Sequence, residues 1–349
     1  MNTQTGSDAS FMSSSSALGN VQFQRLAETF VLEIKGLDLS QNLNDQLIGD
    51  LQDLLAEHAV LVIRGQDLSD DQQDDFTKAF GMQRDQREHV WAPEADPESR
   101  VGRHGAFGPL PILNKGSQLF FVNGPELCEG DRDPNAILNM KDQYKMHGTS
   151  CWHTGDTEKA NVEVVNILSP IIVPEREGHT EFADTAAAYA ALDAEARERA
   201  ETRRVIHCMV FPEVEGINMP DPTPPVSQPL VKQHAVTGKK FLYLNFHDMD
   251  RVVGWKREDS DAYIKDLFAQ TVRDPFIYVH KWQKGDFLVW NCNGTIHRRG
   301  LLDPTVKRAL RRTQTAVPML QSTREWDKTQ DVAEHEHDGT FWHPYPFKD

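Results

Sequence analysis

The sequence has few cysteines and no long apolar run. Its four cysteines include no Cys-x-x-Cys pair, which argues against a zinc ribbon and a disulfide framework and favours a reducing, cytoplasmic location. A transmembrane helix needs about 18 consecutive apolar residues, and no stretch of the chain provides them. Residues 1–18 lack the basic and apolar regions of a signal peptide, so we predict a disordered, serine-rich tail there.

Basic residues are also scarce relative to acidic ones. Lys and Arg together number 37 against 53 Asp and Glu, which gives a net charge of -16. Long-range electrostatics therefore oppose binding to nucleic acid or to an anionic membrane surface. With 39% hydrophobic residues among its 349, the chain can bury a substantial core. These features predict a globular protein that acts on a small molecule, and they leave assembly into a homo-oligomer open.

Hydrophobic periodicity predicts a mainly β chain with few helices. Residues 21–39 alternate as a strand that turns at Gly36, and a helical stripe over 47–55 is followed by a buried strand over 58–65. Ser69 and Gln72 have the spacing of a capping box for a helix over 70–80. Further strands are predicted over 136–140, 162–168, 203–211, 240–245, 276–282, 286–290 and 308–317, and further helices over 185–199 and 258–270.

Residues 82–135 differ from the rest of the chain. They contain many proline, glycine, arginine and acidic residues, few periodic apolar positions and repeated turn signals. A loop of this length inside a compact domain is usually functional or disordered, so we interpret it as a lid over the site. The lid belongs to a single predicted domain over 19–320, and residues 321–349 form a C-terminal extension.

Two histidine motifs carry the chemistry that the sequence predicts. The first reads Trp152-His153-Thr154-Gly155, and the second ends at His297, downstream of Trp290. Two histidines and one carboxylate are the usual ligands of a non-haem Fe(II) oxygenase, since they hold the metal on one face and leave the opposite face open. Here the position two residues after the first histidine is Gly155, which has no side chain.

Several stretches resemble, in the same order, the landmarks of the TauD/TfdA-like Fe(II)/2-oxoglutarate-dependent dioxygenases. The resemblance spans roughly residues 25–318 and implies a double-stranded β-helix (jelly-roll) fold, Fe(II), 2-oxoglutarate and O2. The matching stretches are Ala59–Gln66, Trp152-His153-Thr154, Gly178-His179-Thr180, Tyr278–Asp286 and the set of His297, Arg308 and Arg312.

The resemblance also implies a role for individual residues. His153 and His297 match the two iron-binding histidines, and Thr180 matches a threonine that binds 2-oxoglutarate. Arg308 matches the arginine that clamps the distal carboxylate of 2-oxoglutarate, and Arg312 matches a second arginine near the cosubstrate or substrate. Strand alternation would place both arginines on one face, and a planar guanidinium can grip a carboxylate through two hydrogen bonds.

Gly155 allows three interpretations. In the preferred one the protein resembles the Fe(II)/2-oxoglutarate halogenases, in which chloride takes the position of the missing carboxylate and an unactivated sp3 carbon is chlorinated. The spacing between His153 and Thr180, which needs no insertion, favours this interpretation. In the second, Asp156 supplies the carboxylate and the protein is a hydroxylase. In the third, the fold is a small-molecule binding protein without iron.

Substrate contacts are the least determined part of the site. Asn123 and Asn139 are polar residues that we predict to reach the substrate. The family's Trp-Asp-Asn before the second histidine is here Trp290-Asn291-Cys292, which alters the surroundings of the iron. The acidic surface favours a free small molecule over one tethered to an acidic carrier protein.

Overall fold

The computed structural model describes most of the predicted domain and leaves its lid largely undescribed. For residues 82–83, 101–103, 109–114, 117–123, 308–309 and 316 only the backbone is described. The N-terminal tail up to residue 17, the predicted strand over 136–140 and the C-terminal extension lie outside the described residues. Those residues are 18, 21–41, 43–83, 101–103, 109–114, 117–123, 152–155, 157, 164–173, 175–176, 178–208, 225–234, 236–246, 248–300 and 308–316.

The described residues form a mainly β structure, as predicted. Its helices are Asp45–His58 (α1), Asp70–Phe80 (α2), Thr185–Ala191 (α3), Ala194–Glu201 (α4) and Arg257–Thr271 (α5). Its strands are Gln22–Ala27 (β1), Val31–Lys35 (β2), Val60–Ile63 (β3), Met82–Gln83 (β4), Val101–Arg103 (β5), Pro109–Asn114 (β6), Ser117–Asn123 (β7), Val164–Ile172 (β8), Thr180–Asp184 (β9), Arg204–His207 (β10), Val226–Pro229 (β11), Val231–Gln233 (β12), Lys240–Leu242 (β13), Met249–Val252 (β14), Ile277–His280 (β15), Phe287–Asn291 (β16), Thr295–Arg299 (β17) and Arg308–Ala316 (β18).

A large sheet forms one side of the molecule. Its strands follow the order β1-β2-β3-β16-β8-β18-β7-β6-β5, and β4 also pairs with β18. Helices α1 and α2 cover its outer face through a fully buried cluster that includes Leu51, Leu55 and Phe76. The ring of Phe76 meets that of Phe287 edge-on at 5.1 Å, which joins α2 to the centre of the sheet.

A smaller antiparallel sheet, of order β15-β9-β17, faces the large one. Apolar side chains of both sheets fill the space between them, among them Phe182 from β9 and Leu288 and Trp290 from β16. The rings of Phe182 and Trp290 pack edge-on at 5.4 Å. Two facing sheets around a shared apolar layer are the arrangement that the sequence predicted.

Local sequence signals predicted the start of α2 correctly but missed the break between α3 and α4. Ser69 accepts a hydrogen bond from the Gln72 N–H, and the Gln72 side chain bonds back to the Ser69 backbone, so the predicted capping box of α2 is confirmed. The expected single helix over 185–199 is wrong, because Leu192 is extended and the Asp193 side chain caps a second helix.

Two further expectations about strands are wrong. Residues 21–39 contain two antiparallel strands, β1 and β2, because the chain reverses direction between them. Strand β2 then ends just before the turn at Gly36. Within the predicted lid, the backbone of 101–103, 109–114 and 117–123 forms strands, and β7 pairs with β18. These residues therefore extend the large sheet, since β7 pairs with β18 and β6 pairs with β7.

A buried ionic network ties the two sheets together at one edge. Arg64, just after β3, contacts Glu33 of β2 at 2.7 Å and Asp286 at 2.5 Å. The other carboxylate oxygen of Asp286 lies 2.9 Å from Nε2 of His280, at the end of β15.

Among the described helices, none combines the length and the apolar character that a bilayer-spanning helix requires.

Candidate functional site

The two predicted iron-binding histidines meet on the small sheet. His153 and His297 form an isolated antiparallel bridge, with backbone N–H to carbonyl distances of 2.9 Å and 2.8 Å in the two directions. Their ring centroids are 4.3 Å apart and the ring planes are inclined by 46°. The pairing therefore places on one side of the sheet two side chains that are far apart in the sequence.

This geometry fits a metal bound by both imidazoles. If each ring nitrogen lay about 2.1 Å from one metal at right angles, the two nitrogens would be about 3 Å apart. Centroids at 4.3 Å are compatible with that separation. The ring of His297 also packs against Trp290 at 5.0 Å and Phe182 at 6.1 Å, which restricts its orientation.

Gly155 lies beside this pair, and its backbone does not require glycine. Its φ is outside the left-handed region, and an added Cβ would lie 3.5 Å from Cys292 Sγ and 3.9 Å from Val164 Cβ. Both are ordinary contact distances. Within the part of the chain that the structure describes, no three His, Cys, Asp or Glu side chains are grouped to hold a metal. Asp156, the alternative third ligand, lies outside the described residues.

Buried hydrogen bonds hold the turn that follows His153. The Thr154 hydroxyl donates to the Cys292 carbonyl at 2.6 Å, and the Asn245 amide nitrogen lies 3.1 Å from the Thr154 carbonyl. Asn245 also reaches Thr157 Oγ1 at 2.8 Å, and Gln228 donates to the Thr157 carbonyl at 3.0 Å. Because these partners come from three separate segments, the core holds the backbone on both sides of the turn.

Replacing Asn245 with alanine should weaken metal binding. The change removes the buried amide that bonds both Thr154 and Thr157, so the turn after His153 should loosen. Supporting contacts of this kind typically change metal affinity by about 10- to 100-fold. Titration of Asn245→Ala with Fe(II) under argon would measure the loss.

Gln233→Ala is the matched control for the Asn245 variant. It removes an exposed amide that donates to the Gly238 carbonyl at 2.9 Å, away from the histidines, and should leave metal affinity unchanged. Equal affinities for Asn245→Ala and the native chain would mean that the turn does not depend on this amide.

Thr180, the predicted 2-oxoglutarate residue, lies on the strand next to His297. It starts β9 and is buried, and its Oγ1 accepts a hydrogen bond of 3.1 Å from the indole N–H of Trp282. Since the indole is the donor, the hydroxyl hydrogen of Thr180 can be donated to a ligand. Phe182, two residues on, packs against His297, so Thr180 faces the same interior space.

The two predicted arginines lie on β18. Arg308 pairs with Asn123 of β7, and a register shift between Arg308 and Leu310 interrupts the expected simple alternation. The side chains of Arg308 and Asn123 are outside the described set, and Asn139 is not described. Arg312 is two residues after the buried Leu310, so both side chains leave the same face of β18. Burial raises the pKa of the Cys292 thiol, and the positive charge of Arg312 opposes that rise, which indicates that Arg312 lies near Cys292. Arg312 therefore lies near the Gly155 side of the site.

The two arginines that follow His297, neither of which was predicted as part of the site, project from opposite faces of the small sheet. Arg298 points outward, where its guanidinium stacks 4.6 Å from the Trp152 ring and contacts Glu181 at 2.7 Å. Arg299 is on the same face as His297 and pairs across the sheet with Thr180. Counting in twos from His297 would have identified Arg299.

Several other histidines make contacts within the core of the protein. His207 lies 2.9 Å from Thr157 Oγ1, and burial lowers its pKa to about 3, so its ring is neutral at neutral pH. Burial likewise lowers the pKa of His234 to about 4, and its Nδ1 accepts from the Thr237 N–H. His280 bonds to Asp286 in the buried network. Through these contacts the three rings are hydrogen-bonded within the core.

Comparisons with known proteins identify the family of the chain. The family model described as "Taurine catabolism dioxygenase TauD, TfdA family" matches residues 22–314. An alpha-ketoglutarate-dependent 2,4-dichlorophenoxyacetate dioxygenase of Cupriavidus pinatubonensis is 26% identical over 82% of this chain and 94% of its own length. An (S)-phenoxypropionate/alpha-ketoglutarate-dioxygenase of Sphingobium herbicidovorans is 27% identical over 61% of this chain and 76% of its own length.

A solved structure supports the fold. The crystal structure of AAD-2 in complex with Mn(II) and N-oxalylglycine superimposes with a TM-score of 0.62 at 23% identity, covering 87% of this chain and all (100%) of that chain. This likeness confirms the predicted double-stranded β-helix.

Proposed function

The chain belongs to the taurine catabolism dioxygenase TauD, TfdA family, and on that basis we propose that it hydroxylates a C–H bond of a small organic anion. The reaction would consume 2-oxoglutarate and O2 and release succinate and CO2. The observation that carries the proposal is the bridge between His153 and His297, whose rings lie 4.3 Å apart beside Thr180. We propose that the enzyme works in the cytoplasm on a free substrate.

The residues of the site would bind the metal and the cosubstrate, orient them and exclude water. His153 and His297 would hold Fe(II), which together with bound 2-oxoglutarate and O2 supplies the oxidising power for attack on a C–H bond. Thr180 and Arg308 would hold the cosubstrate. The apolar layer around Phe182 and Trp290 keeps bulk water from the inner side of His297.

An organic anion is the substrate class that the relatives favour. The two curated relatives act, by their names, on 2,4-dichlorophenoxyacetate and on (S)-phenoxypropionate, both of which carry a carboxylate. With a net charge of -16, this protein needs a local cation to attract such a substrate. We propose that Arg312, whose positive charge opposes the rise in the pKa of the Cys292 thiol, supplies this cation. Asn123 and Asn139 remain our proposed polar contacts to the substrate.

Halogenation, which the sequence analysis preferred, becomes the second candidate. The relatives are dioxygenases by name, which favours hydroxylation with Asp156 as the third ligand. The specific observation in favour of chloride is Gly155, whose backbone would accept a side chain at ordinary contact distances. Neither backbone strain nor contact at the Cβ position therefore explains why this position is glycine.

The proposed function can be tested by following cosubstrate binding and turnover separately. Under argon, Fe(II) and 2-oxoglutarate added to the full-length protein should produce the visible absorption band of the chelate. With O2 and a panel of aryloxyalkanoates and alkyl sulfates, at least one compound should increase succinate release and gain a hydroxyl group. A protein that binds neither Fe(II) nor 2-oxoglutarate would contradict the proposal and favour a binding protein without iron.

Two variants distinguish hydroxylase from halogenase. If Asp156 binds iron, Asp156→Ala should lose the absorption band and activity, and chloride should leave the native band unchanged. If chloride binds beside Gly155, chloride should shift the native band, and Gly155→Asp should abolish chlorination. Mass spectrometry of the product, run with chloride and with sulfate as the only added anion, separates the two outcomes.

A further inference from the structure

A cavity lies outside the histidine site, where several segments of the chain meet. Its volume is 490 Å³, which falls in the range of about 300 to 1,000 Å³ that small-molecule sites occupy. The lining comes from the turn between β1 and β2, the end of α1, the helix α3, the hairpin of β12 and β13, and the connection between β16 and β17. Neither His153 nor His297 belongs to this lining, so the cavity is separate from the predicted metal site.

The connection between β16 and β17 divides the cavity from the predicted metal site. Asn291 and Asn293 line the cavity. The side chain of Cys292, between them, faces the other way, since its Sγ would lie 3.5 Å from a Cβ added to Gly155. The cavity is therefore behind the turn that follows His153, on the opposite side of one shared segment.

Most of the cavity wall is apolar, and its charged side chains balance. Phe30, Phe241 and alanines of α1 and α3 form the apolar part. The charged residues of the lining are Arg25, Lys239, Lys240, Glu28, Glu57 and Asp184. Lys239 contacts Glu57 at 3.1 Å and Lys240 contacts Glu201 at 2.7 Å, so both ammonium groups already have a carboxylate partner. A ligand that suits this lining carries no net charge.

Two hydrogen-bond donors meet at the buried end of the cavity. Burial lowers the pKa of His234 to about 4, so at neutral pH its ring is neutral and carries one N–H. Its Nδ1 accepts from the backbone N–H groups of Val236 and Thr237, at 3.3 Å and 3.2 Å, which places the hydrogen on Nε2. Nε2 lies 3.3 Å from the side-chain nitrogen of Asn291, which is also a donor. The Asn291 oxygen is held away from the ring, because it accepts from the Asn293 N–H at 2.8 Å.

The other buried polar groups of the lining do not satisfy these two donors. Both oxygens of Asp184 are already engaged, one by the Thr29 hydroxyl at 2.5 Å and the other by the N–H groups of Ala186 and Ala187. The side-chain amide of Asn293, a residue that is 4% exposed, makes no hydrogen bond to another described residue. A buried donor normally has a partner, so the buried end of the cavity is suited to a ligand that brings an acceptor.

We propose that this cavity is a second ligand site, which binds an uncharged organic molecule through a carbonyl oxygen. A carbonyl oxygen has two lone pairs, so it accepts from the Nε2–H of His234 and from the amide of Asn291 at once. The apolar body of the molecule lies against the wall that Phe30 and Phe241 help to form. The site is additional to the iron site and does not depend on the proposed function.

The test uses three small aromatic probes that fluorine NMR can follow. para-Fluoroacetophenone carries a carbonyl group, para-fluoroethylbenzene has a methylene group in its place, and para-fluorobenzoate is an anion of similar size. Titration of the full-length protein gives a dissociation constant for each probe. The ketone should bind, and more tightly than the benzoate. Its dissociation constant should be the same with and without Mn(II) and 2-oxoglutarate, because the cavity lies outside the histidine site.

One variant removes a donor and another fills the cavity. In His234→Asn the new side-chain oxygen can still accept from the turn at 236–237, but the Nε2–H is lost. The dissociation constant of the ketone should rise about 3- to 10-fold, while that of para-fluoroethylbenzene should change little. Ala187→Leu keeps every donor and takes up space in the cavity, so it should weaken the binding of both compounds about 10-fold or more. Ala191→Leu, at the end of the same helix and outside the lining, is its matched control and should leave both constants unchanged.

Each contrary result refutes a stated part of the proposal. If the native protein does not bind the ketone, or if Ala187→Leu binds it as the native protein does, the cavity is not its site. Competition with 2-oxoglutarate would place the ketone at the histidine site instead. Equal losses for the ketone and para-fluoroethylbenzene in His234→Asn would refute the carbonyl contact, and tighter binding of the benzoate would refute the preference for an uncharged ligand. None of these results bears on the hydroxylation proposed above.

Discussion

Replacing His297 with alanine should abolish Fe(II) binding and turnover together. In the structure this ring lies 4.3 Å from that of His153 and packs against Trp290, so its loss leaves one of the two imidazoles of the predicted metal site. Since changes in supporting residues alone cost about 10- to 100-fold in metal affinity, removal of a ligand should exceed about 100-fold. Equilibrium titration with Fe(II) under argon gives the affinity, and succinate release gives the turnover.

A histidine outside the predicted pair of iron ligands provides the control for the His297 variant. His179 immediately precedes β9, next to Thr180, and its ring contacts Glu181 at 2.8 Å. His179→Ala should keep metal affinity within a few-fold of the native value. Added imidazole should partly restore metal binding in His297→Ala, because the small ligand can occupy the space of the lost ring. Native-like affinity in His297→Ala would place the metal elsewhere.

Replacing Arg64 with methionine should cause the largest loss of stability. The guanidinium bonds Glu33 at 2.7 Å and Asp286 at 2.5 Å, and both carboxylates are almost fully buried. Removing one partner of a buried ion pair leaves an uncompensated charge, which typically costs about 3 to 5 kcal/mol. Chemical denaturation at neutral pH would measure the change in the free energy of unfolding.

The effect of Arg64→Met should depend on pH in a defined direction. Burial would raise the pKa of Asp286, but its hydrogen bonds to His280 and Arg64 outweigh this and hold the pKa below the ordinary value of 3.8. A carboxyl group of this kind contributes stability above its ordinary pKa, and the contribution is lost as pH falls through the folded-state pKa. The native chain should therefore lose stability in acid, and the difference between native and variant should shrink below about pH 4.

An exposed arginine gives the matched comparison for Arg64. Arg273 stacks on Phe276 at 5.4 Å and donates to the Gln270 carbonyl at 3.0 Å, with no buried carboxylate among its partners in the described residues. Arg273→Met should change stability by no more than about 0.5 kcal/mol. A destabilisation of similar size in both variants would contradict the importance assigned to the buried network.

Elements specified by nearby residues were predictable from the sequence. The capping box of α2 depends on Ser69 and Gln72 alone, and the structure contains it as expected. Where an element depended on distant partners, the prediction was wrong. The strand over 117–123 pairs with β18, nearly two hundred residues later, and no local periodicity reports such pairing. The break between α3 and α4 was local but weak, since it depends on a single cap at Asp193.

The same distinction between local signals and distant partners applies to the candidate site. The sequence by itself predicts which residues form the site, because the histidine motifs, Thr180 and the arginines occur in the order of the family, and these roles stay predictions. It could not decide whether Gly155 was a requirement of a tight turn. That needed the backbone dihedral angle and the distances to Cys292 and Val164, which depend on how separate strands pack.

Tertiary structure alone decided which side chains meet. The bridge between His153 and His297 joins two segments that approach only when the small sheet forms. The register of β17 on β9 then sends Arg298 outward and Arg299 inward, opposite Thr180. Neighbouring arginines are equivalent in a sequence. In a sheet they lie on opposite faces, because successive side chains alternate and the register of a distant strand determines what each of them contacts.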